Sequence, residues 1–172
     1  MKPDEVMFSP KVRAEQARRG SRAGYANAAA KGRFQADLSD EVIEFILERN
    51  SAYLGTAGAD GQPYIQHRGG PAGFLRALDR RTIAFADYTG NRQYISTGNL
   101  AENERAFLFL MDYAEARRLK LWGRARIVGN DRALLDLVAD PAYGARVEQA
   151  IVFTVLAWDW NCSRHIPRLV PA

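Results

Sequence analysis

The sequence predicts a mainly β fold, an antiparallel barrel with a few flanking helices. Three observations carry that expectation. Apolar runs of strand length recur between residues 52 and 158, separated by short turns that carry Gly, Asp and Asn. Helical periodicity is confined to a few short stretches. No GxGxxG follows a strand, so the phosphate-binding fingerprint of a doubly wound parallel sheet is missing.

Residues 1–35 read as an arm distinct from the domain of residues 36–172. The arm holds eight Lys/Arg against three Asp/Glu, a balance of +5, whereas residues 36–172 hold sixteen against seventeen, a balance of −1. The high isoelectric point therefore belongs to the arm, and a domain-wide footprint for nucleic acid is not expected. Lys11 to Arg19 can form a helical turn or two. Ala26-Asn27-Ala28-Ala29-Ala30 permits helix, but Gly20, Gly24 and Gly32 interrupt it. Such an arm is flexible or partner-dependent, or it wraps the second subunit of a dimer.

A clear helix follows. Ser39 can cap it, Asp40 and Glu41 suit the positive end of its dipole, Val42-Phe45-Ile46 form a buried stripe, and the helix should end near Asn50. Ala52 to Ala57 is the first strand. Ala59-Asp60-Gly61 is a turn, and Pro63 to Arg68 returns antiparallel. Gly69-Gly70-Pro71 breaks that strand before Phe74-Leu75, Asp79-Arg80-Arg81 turns again, and Thr82 to Asp87 is another strand. Asn91 to Leu100 is polar and glycine-bearing, which predicts a loop with one helical turn. Ala106 to Tyr113 and Arg117 to Val128 are strands, Asp131 caps a short helix through Leu134, Leu135 and Val138, and Ala150 to Trp158 is the final strand.

The scarce residues exclude several chemistries. Cys162 is the single cysteine, so an intramolecular disulfide is impossible. His67 and His165 are the two histidines, too few for a Cys/His zinc site, and no GxSxG elbow exists to place a triad serine. No apolar run is long enough to span a bilayer, and the N-terminus lacks the apolar stretch of a signal peptide. A soluble cytoplasmic protein is expected, with demanding chemistry supplied by a borrowed cofactor.

Four segments carry candidate chemistry. On strand 117–128, alternation puts Arg118, Lys120, Trp122, Arg124 and Arg126 on one face, and Leu119, Leu121, Gly123, Ala125 and Ile127 on the other. The first face is either a solvated exterior or an anion site. The loop Asp87 to Leu100 combines amide, hydroxyl and guanidinium donors with two glycines, and so can cradle a phosphate or serve as an ordinary turn. In Gln66-His67-Arg68-Gly69-Gly70-Pro71 the glycines allow a planar ligand to approach the backbone. The tail Trp158 to Arg168 gathers two tryptophans, Cys162, His165 and two arginines. It reads better as a segment covering a ligand or sealing a dimer than as a Cys/His nucleophile pair.

The order of these features resembles the pyridoxamine 5′-phosphate oxidase-like flavoproteins. Leu38 to Leu47, Ala52 to Ala57 and Asp60-Gly61-Gln62-Pro63 resemble that family's opening helix, first strand and hairpin. Phe85 to Leu100, Leu119 to Ala125, Asn161-Cys162 and His165-Ile166 look like a subgroup of predicted flavin-nucleotide-binding proteins. The resemblance covers residues 38–168. It implies a split β-barrel that binds FMN at the interface of a homodimer. Gln66, His67, Arg68 and Gly69 would line the isoalloxazine. Asn91, Arg92, Gln93, Ser96 and Asn99 would hold the phosphate or ribityl chain. Lys120 and Arg124 would add positive charge, with Trp122 beside them. The family's C-terminal Arg-x-His substrate motif is replaced here by Arg164-His165, so its substrate does not carry over.

The expected function is an FMN-dependent oxidoreductase that moves hydride or electrons between flavin and a small molecule, with NADH or NADPH as a candidate donor. His67 and His165 are the candidate proton donors. The alternatives are a flavin-binding or redox-sensing module without turnover, and a binder of nucleic acid or an acidic partner through the arm.

Overall fold

The computed structural model of the chain describes residues 1–161 and 163–169. Cys162, singled out above, lies outside the described residues. The arm is more helical than its glycines suggest, with α1 (Pro3–Met7), α2 (Pro10–Arg18) and α3 (Arg22–Ala30). Ser9 starts α2 by accepting a hydrogen bond from the Val12 N–H at 3.3 Å, with Pro10 at the first helical position. Phe8 ties the arm together, its ring 5.3 Å from those of both Tyr25 and Phe34. Phe34 is buried, Gln35 pairs with Trp158, and Arg33 reaches Asp159 at 3.3 Å. These contacts hold the end of the arm on the chain's own barrel.

Helix α4 (Asp40–Leu47) begins as expected: the Ser39 hydroxyl accepts from the Val42 N–H, and Val42, Phe45 and Ile46 are buried. The strands are β1 (Ser51–Ala57), β2 (Pro63–Gly69), β3 (Arg76–Ala77), β4 (Thr82–Tyr88), β5 (Arg105–Asp112), β6 (Arg117–Val128) and β7 (Val147–Trp160). They form one antiparallel sheet in the order β2-β1-β5-β6-β7-β4-β3, a split barrel whose edge strands β2 and β3 are joined through residues 70–75. Leu54, Leu75, Phe85, Leu108, Leu121 and Phe153 are fully buried inside it. A second apolar cluster lies under α6 (Arg132–Val138), which Asp131 caps through the Leu134 N–H at 3.0 Å.

Strand β6 alternates as read from the sequence. Leu119, Leu121, Gly123 and Ala125 are buried, while Arg124 and Arg126 are exposed. A bulge shifts its register with β7 between Trp122 and Gly123. Only glycine fits there, because a Cβ on Gly123 would lie 2.3 Å from the Thr154 carbonyl oxygen.

The main correction falls on residues 91–100. Instead of a loop with one turn, residues Ile95–Glu102 form a full helix, α5. Its propensity is poor, but tertiary contacts outweigh it. Ser96 and Leu100 are buried, and Asn99 Nδ2 donates to Thr56 Oγ1 at 3.0 Å.

Candidate functional site

Strand β2 alternates so that Gln66 and Arg68 turn towards α5 while Ile65 and His67 are exposed on the opposite side. The inward pair meets the end of β4, the loop after it, the first turn of α5 and the start of β7. Together these elements enclose a pocket of about 250 Å³, lined by Gln66, Arg68, Asp87, Asn91, Arg92 and Gln93, with Tyr88, Tyr94, Ser96, Thr97 and Glu148 completing the wall.

A hydrogen-bonded network forms its floor. Arg68 pairs with Asp87, both with roughly a tenth of the side chain exposed. Gln149 Nε2 donates to Asp87 Oδ2 at 2.8 Å and to Thr97 Oγ1 at 3.0 Å. Gln66 Oε1 accepts from Ser96 Oγ at 3.1 Å and from Arg68 Nη2 at 3.3 Å. Three strands and a helix are thereby locked around one guanidinium. Its Nε remains buried without a partner among the described residues, an arrangement that costs free energy unless a ligand supplies an acceptor.

The rim is built differently. Arg92 and Tyr94 have positive φ of 61° and 54°, left-handed conformations that cost most side chains about 1–3 kcal/mol. Arg92 Nε donates to Tyr94 Oη at 3.3 Å, and Tyr94 Oη donates to Glu148 at 3.4 Å. The pocket's own charges therefore balance, with Arg68 and Arg92 set against Asp87 and Glu148.

Of the residues nominated from sequence, the structure brings Gln66, Arg68, Asn91, Arg92, Gln93 and Ser96 together. Asn99 instead ties α5 to β1. Gly69 ends β2, packed against the His67 ring. His67 is outside the pocket, edge-on to Tyr53 with ring centroids 5.7 Å apart. Lys120, Trp122 and Arg124 are on β6 across the sheet: Lys120 reaches Asp159 at 3.4 Å and lies 5.2 Å from the Trp122 ring, and Arg124 pairs with Glu104. His165 sits in the exposed tail with φ 63°. Asp87 and Thr97 were marked only as members of the loop from Asp87 to Leu100, and Glu148 and Gln149 were not nominated at all. An acid closing the apolar run Thr82 to Ala86 is a local signal for Asp87, but nothing near Gln149 points across 62 residues to that acid.

The opposite side of the same strands is apolar. Tyr53, Gly55, Ile65, Phe107 and Phe109 line a hollow of about 390 Å³, and Ile65 is 69% exposed. Trp122 packs edge-on against Phe107, with centroids 5.0 Å apart.

No group of three His, Cys, Asp or Glu side chains that could hold a metal is found among the described residues. None of the described helices is long and apolar enough to cross a membrane.

Comparison with known proteins agrees with this architecture. Residues 38–169 match the family model described as pyridoxamine 5′-phosphate oxidase. No curated protein sequence matches the chain. Solved structures share the fold. A histidine-to-alanine variant of HupZ from Group A Streptococcus superposes with a TM-score of 0.58 at 16% identity, covering 72% of this chain and 99% of that one. A Clostridium acetobutylicum protein related to general stress protein 26, of the pyridoxinephosphate oxidase family, gives 0.52 at 19% identity, covering 75% and 89%. An FMN-binding protein from Syntrophomonas wolfei gives 0.53 at 14% identity, covering 71% and 87%.

Proposed function

The chain belongs to the pyridoxamine 5′-phosphate oxidase family, whose model spans residues 38–169, and from that premise we propose that it is an FMN-dependent oxidoreductase acting on a small molecule as a homodimer. The observation that carries this reading is the convergence of Gln66, Arg68, Asn91, Arg92, Gln93 and Ser96 on one pocket. These residues suit the polar part of a flavin nucleotide. Arg68 offers a buried Nε in need of an acceptor. Asn91 and Gln93 add amides at the rim, and Arg92 adds an exposed guanidinium. In this reading Arg68, Asn91, Arg92 and Gln93 hold the phosphate and ribityl chain, while Gln66 and Ser96 fix the floor. Bound flavin supplies the hydride and electron chemistry that side chains lack.

The other face supports the homodimer reading. An exposed isoleucine beside Tyr53, Phe107 and Phe109 is the kind of apolar patch that a second copy covers. Lys120, Trp122, Arg124 and His67 lie on that side of the sheet, so a dimer carries them towards the partner subunit.

A second reading, flavin binding without turnover, is favoured by one observation: neither His67 nor His165 lines the pocket. The test is to purify the protein, record its absorption spectrum and identify any released ligand by mass. A colourless protein that takes up no added FMN overturns flavin binding. Anaerobic addition of NADH or NADPH then separates the two readings: bleaching of the flavin marks an enzyme, and an unchanged spectrum with both donors favours the binder.

A further inference from the structure

The arm is folded but barely covered. Helices α2 and α3 have nine residues each, and isolated helices shorter than ~12–15 residues are marginal in water. Tertiary packing has to supply what length does not, and the chain's own barrel supplies little of it. Helix α1 packs on β7, and α2 packs on α3. Helices α1 and α3 bury no residue, α2 buries only Gln16, and Val12 and Tyr25 are 41% and 39% exposed.

Gly24 sharpens the point. It stands inside α3 in helical backbone, where glycine weakens a helix. Its own chain gives no reason for it, because a Cβ there would meet nothing within 4 Å. Gly20, Gly24, Tyr25, Ala28 and Arg33 line a hollow of about 360 Å³. Ser21 joins that hollow to a second one, lined by Val12, Gln16 and Arg19.

The arm meets the barrel beside the apolar face. Tyr53, Phe109, Lys120 and Asp159 stand abreast on β1, β5, β6 and β7. At about 4.8 Å per strand, Asp159 is roughly 10 Å from Phe109. Arg33, the last cation of the arm, reaches Asp159 at 3.3 Å, and Lys120 shares that carboxylate at 3.4 Å. The arm therefore leaves the sheet next to the hollow formed by Tyr53, Gly55, Ile65, Phe107 and Phe109. Those few side chains fall well short of the about 20–30 residues a side that a stable interface takes.

We propose that α2 and α3 dock on the barrel of a second copy of this chain, continuing the apolar face into one interface. Charge selects the barrel over the partner's arm. Residues 1–35 carry a balance of +5 and residues 36–172 one of −1, so arm on arm brings like charges together and arm on barrel does not. A close-lying partner also gives Gly24 its purpose. The inference rests on the homodimer of the reading above.

The test compares Gly24→Gln with the wild type in the full-length chain. Glutamine is the better helix former and has room in the lone chain, so an arm serving only its own barrel would leave the dimer unchanged. A docked arm loses close contact instead, and sedimentation equilibrium should show the dimer weakened about tenfold or more. A dimer as tight as that of the wild type, or tighter, overturns the proposal. Hydrogen exchange of the wild type through a dilution series gives a second measurement. Amides of α2 and α3 should lose about tenfold or more of their protection as the dimer dissociates, while β5 and β6 keep theirs. Arm protection that is equally high at every dilution assigns the arm to its own barrel, and protection that is equally low assigns it to another partner; either overturns the proposal. A chain that is monomeric at every concentration overturns the proposal together with the homodimer, and leaves flavin binding to be decided by the absorption spectrum.

Discussion

Two arginine–aspartate pairs of nearly equal burial stand in this barrel, and they differ in what is left over. Arg49 bonds Asp112 at 2.7 Å and Glu48 at 2.9 Å, its Nε donates to the Phe45 carbonyl at 3.2 Å, and its guanidinium lies 4.4 Å from the Phe45 ring. Every nitrogen of that fork is used. Arg68 bonds Asp87 and Gln66, but its Nε has no partner among the described residues and the pair lines a cavity. Burial and pairing alone do not separate structure from function here. On the proposed reading, satisfaction in a cavity does: a complete fork holds the end of β5 to the helix that precedes β1, and the incomplete fork of Arg68 is left with a donor that a ligand would use.

The sharpest way to break the comparison is to remove the two carboxylates. Asp87→Ala strands Arg68 in a site about a tenth exposed and also removes the acceptor of Gln149. It should cost roughly 3 kcal/mol in denaturant unfolding, and flavin affinity should fall with it. Asp112→Ala leaves Arg49 with Glu48 and the Phe45 carbonyl, so a loss of about 1–2 kcal/mol is expected, with flavin affinity unchanged. Equal effects of the two variants on flavin would show that the unsatisfied Nε does not mark the site.

A neighbouring position sharpens the same contrast. Ile65 precedes Gln66 on β2 but is exposed on the opposite side. Ile65→Glu places a charge on the face proposed to pair with a second copy. The dimer should weaken about 30-fold by sedimentation, equivalent to about 2 kcal/mol, while the fold of the monomer is kept. An unchanged dimer would assign that face to something else. Replacing arginine by lysine gives a smaller effect. Arg68→Lys keeps the charge and loses the fork, so FMN should bind about tenfold more weakly, whereas Arg49→Lys should leave FMN binding intact. Titration of the apoprotein by fluorescence quenching reads both.

How much of this was legible beforehand depends on how local each signal is. The two faces of β6 follow from alternation over Arg118 to Arg126, and the Ser39 and Asp131 caps follow from one side chain each. The residues alone marked β2 and one polar loop as candidate segments, and the family resemblance picked out the six pocket residues within them. What escaped is long-range. Helix α5 forms because Ser96, Thr97 and Asn99 find partners on β2, β7 and β1, and no window of its own sequence contains them. For the same reason Glu148 and Gln149 were invisible: their place in the site comes from β4 pairing with β7, which sets Asp87 against Gln149. The helices of the arm depend on Phe8 meeting Phe34 and Tyr25, again contacts that composition does not record.

The smallest expected effect concerns pH and tests whether the Arg49 pair is purely structural. Burial raises the Asp112 carboxyl. Hydrogen bonds from the Glu115 N–H and from Arg49 lower it by more, and the net shift is downward. A carboxyl whose folded pKa lies below its unfolded value, near 3.9, contributes stability that is fully present above that value and is lost as pH falls through the folded pKa. The stability gap between the wild type and Asp112→Asn should therefore be constant from about pH 6 to 8 and narrow below roughly pH 4, as measured by urea unfolding across that range. A gap that narrowed instead as pH rose towards 8 would mean that the aspartate is not held as an anion, and the contrast between a satisfied pair and an unsatisfied one would lose its reference.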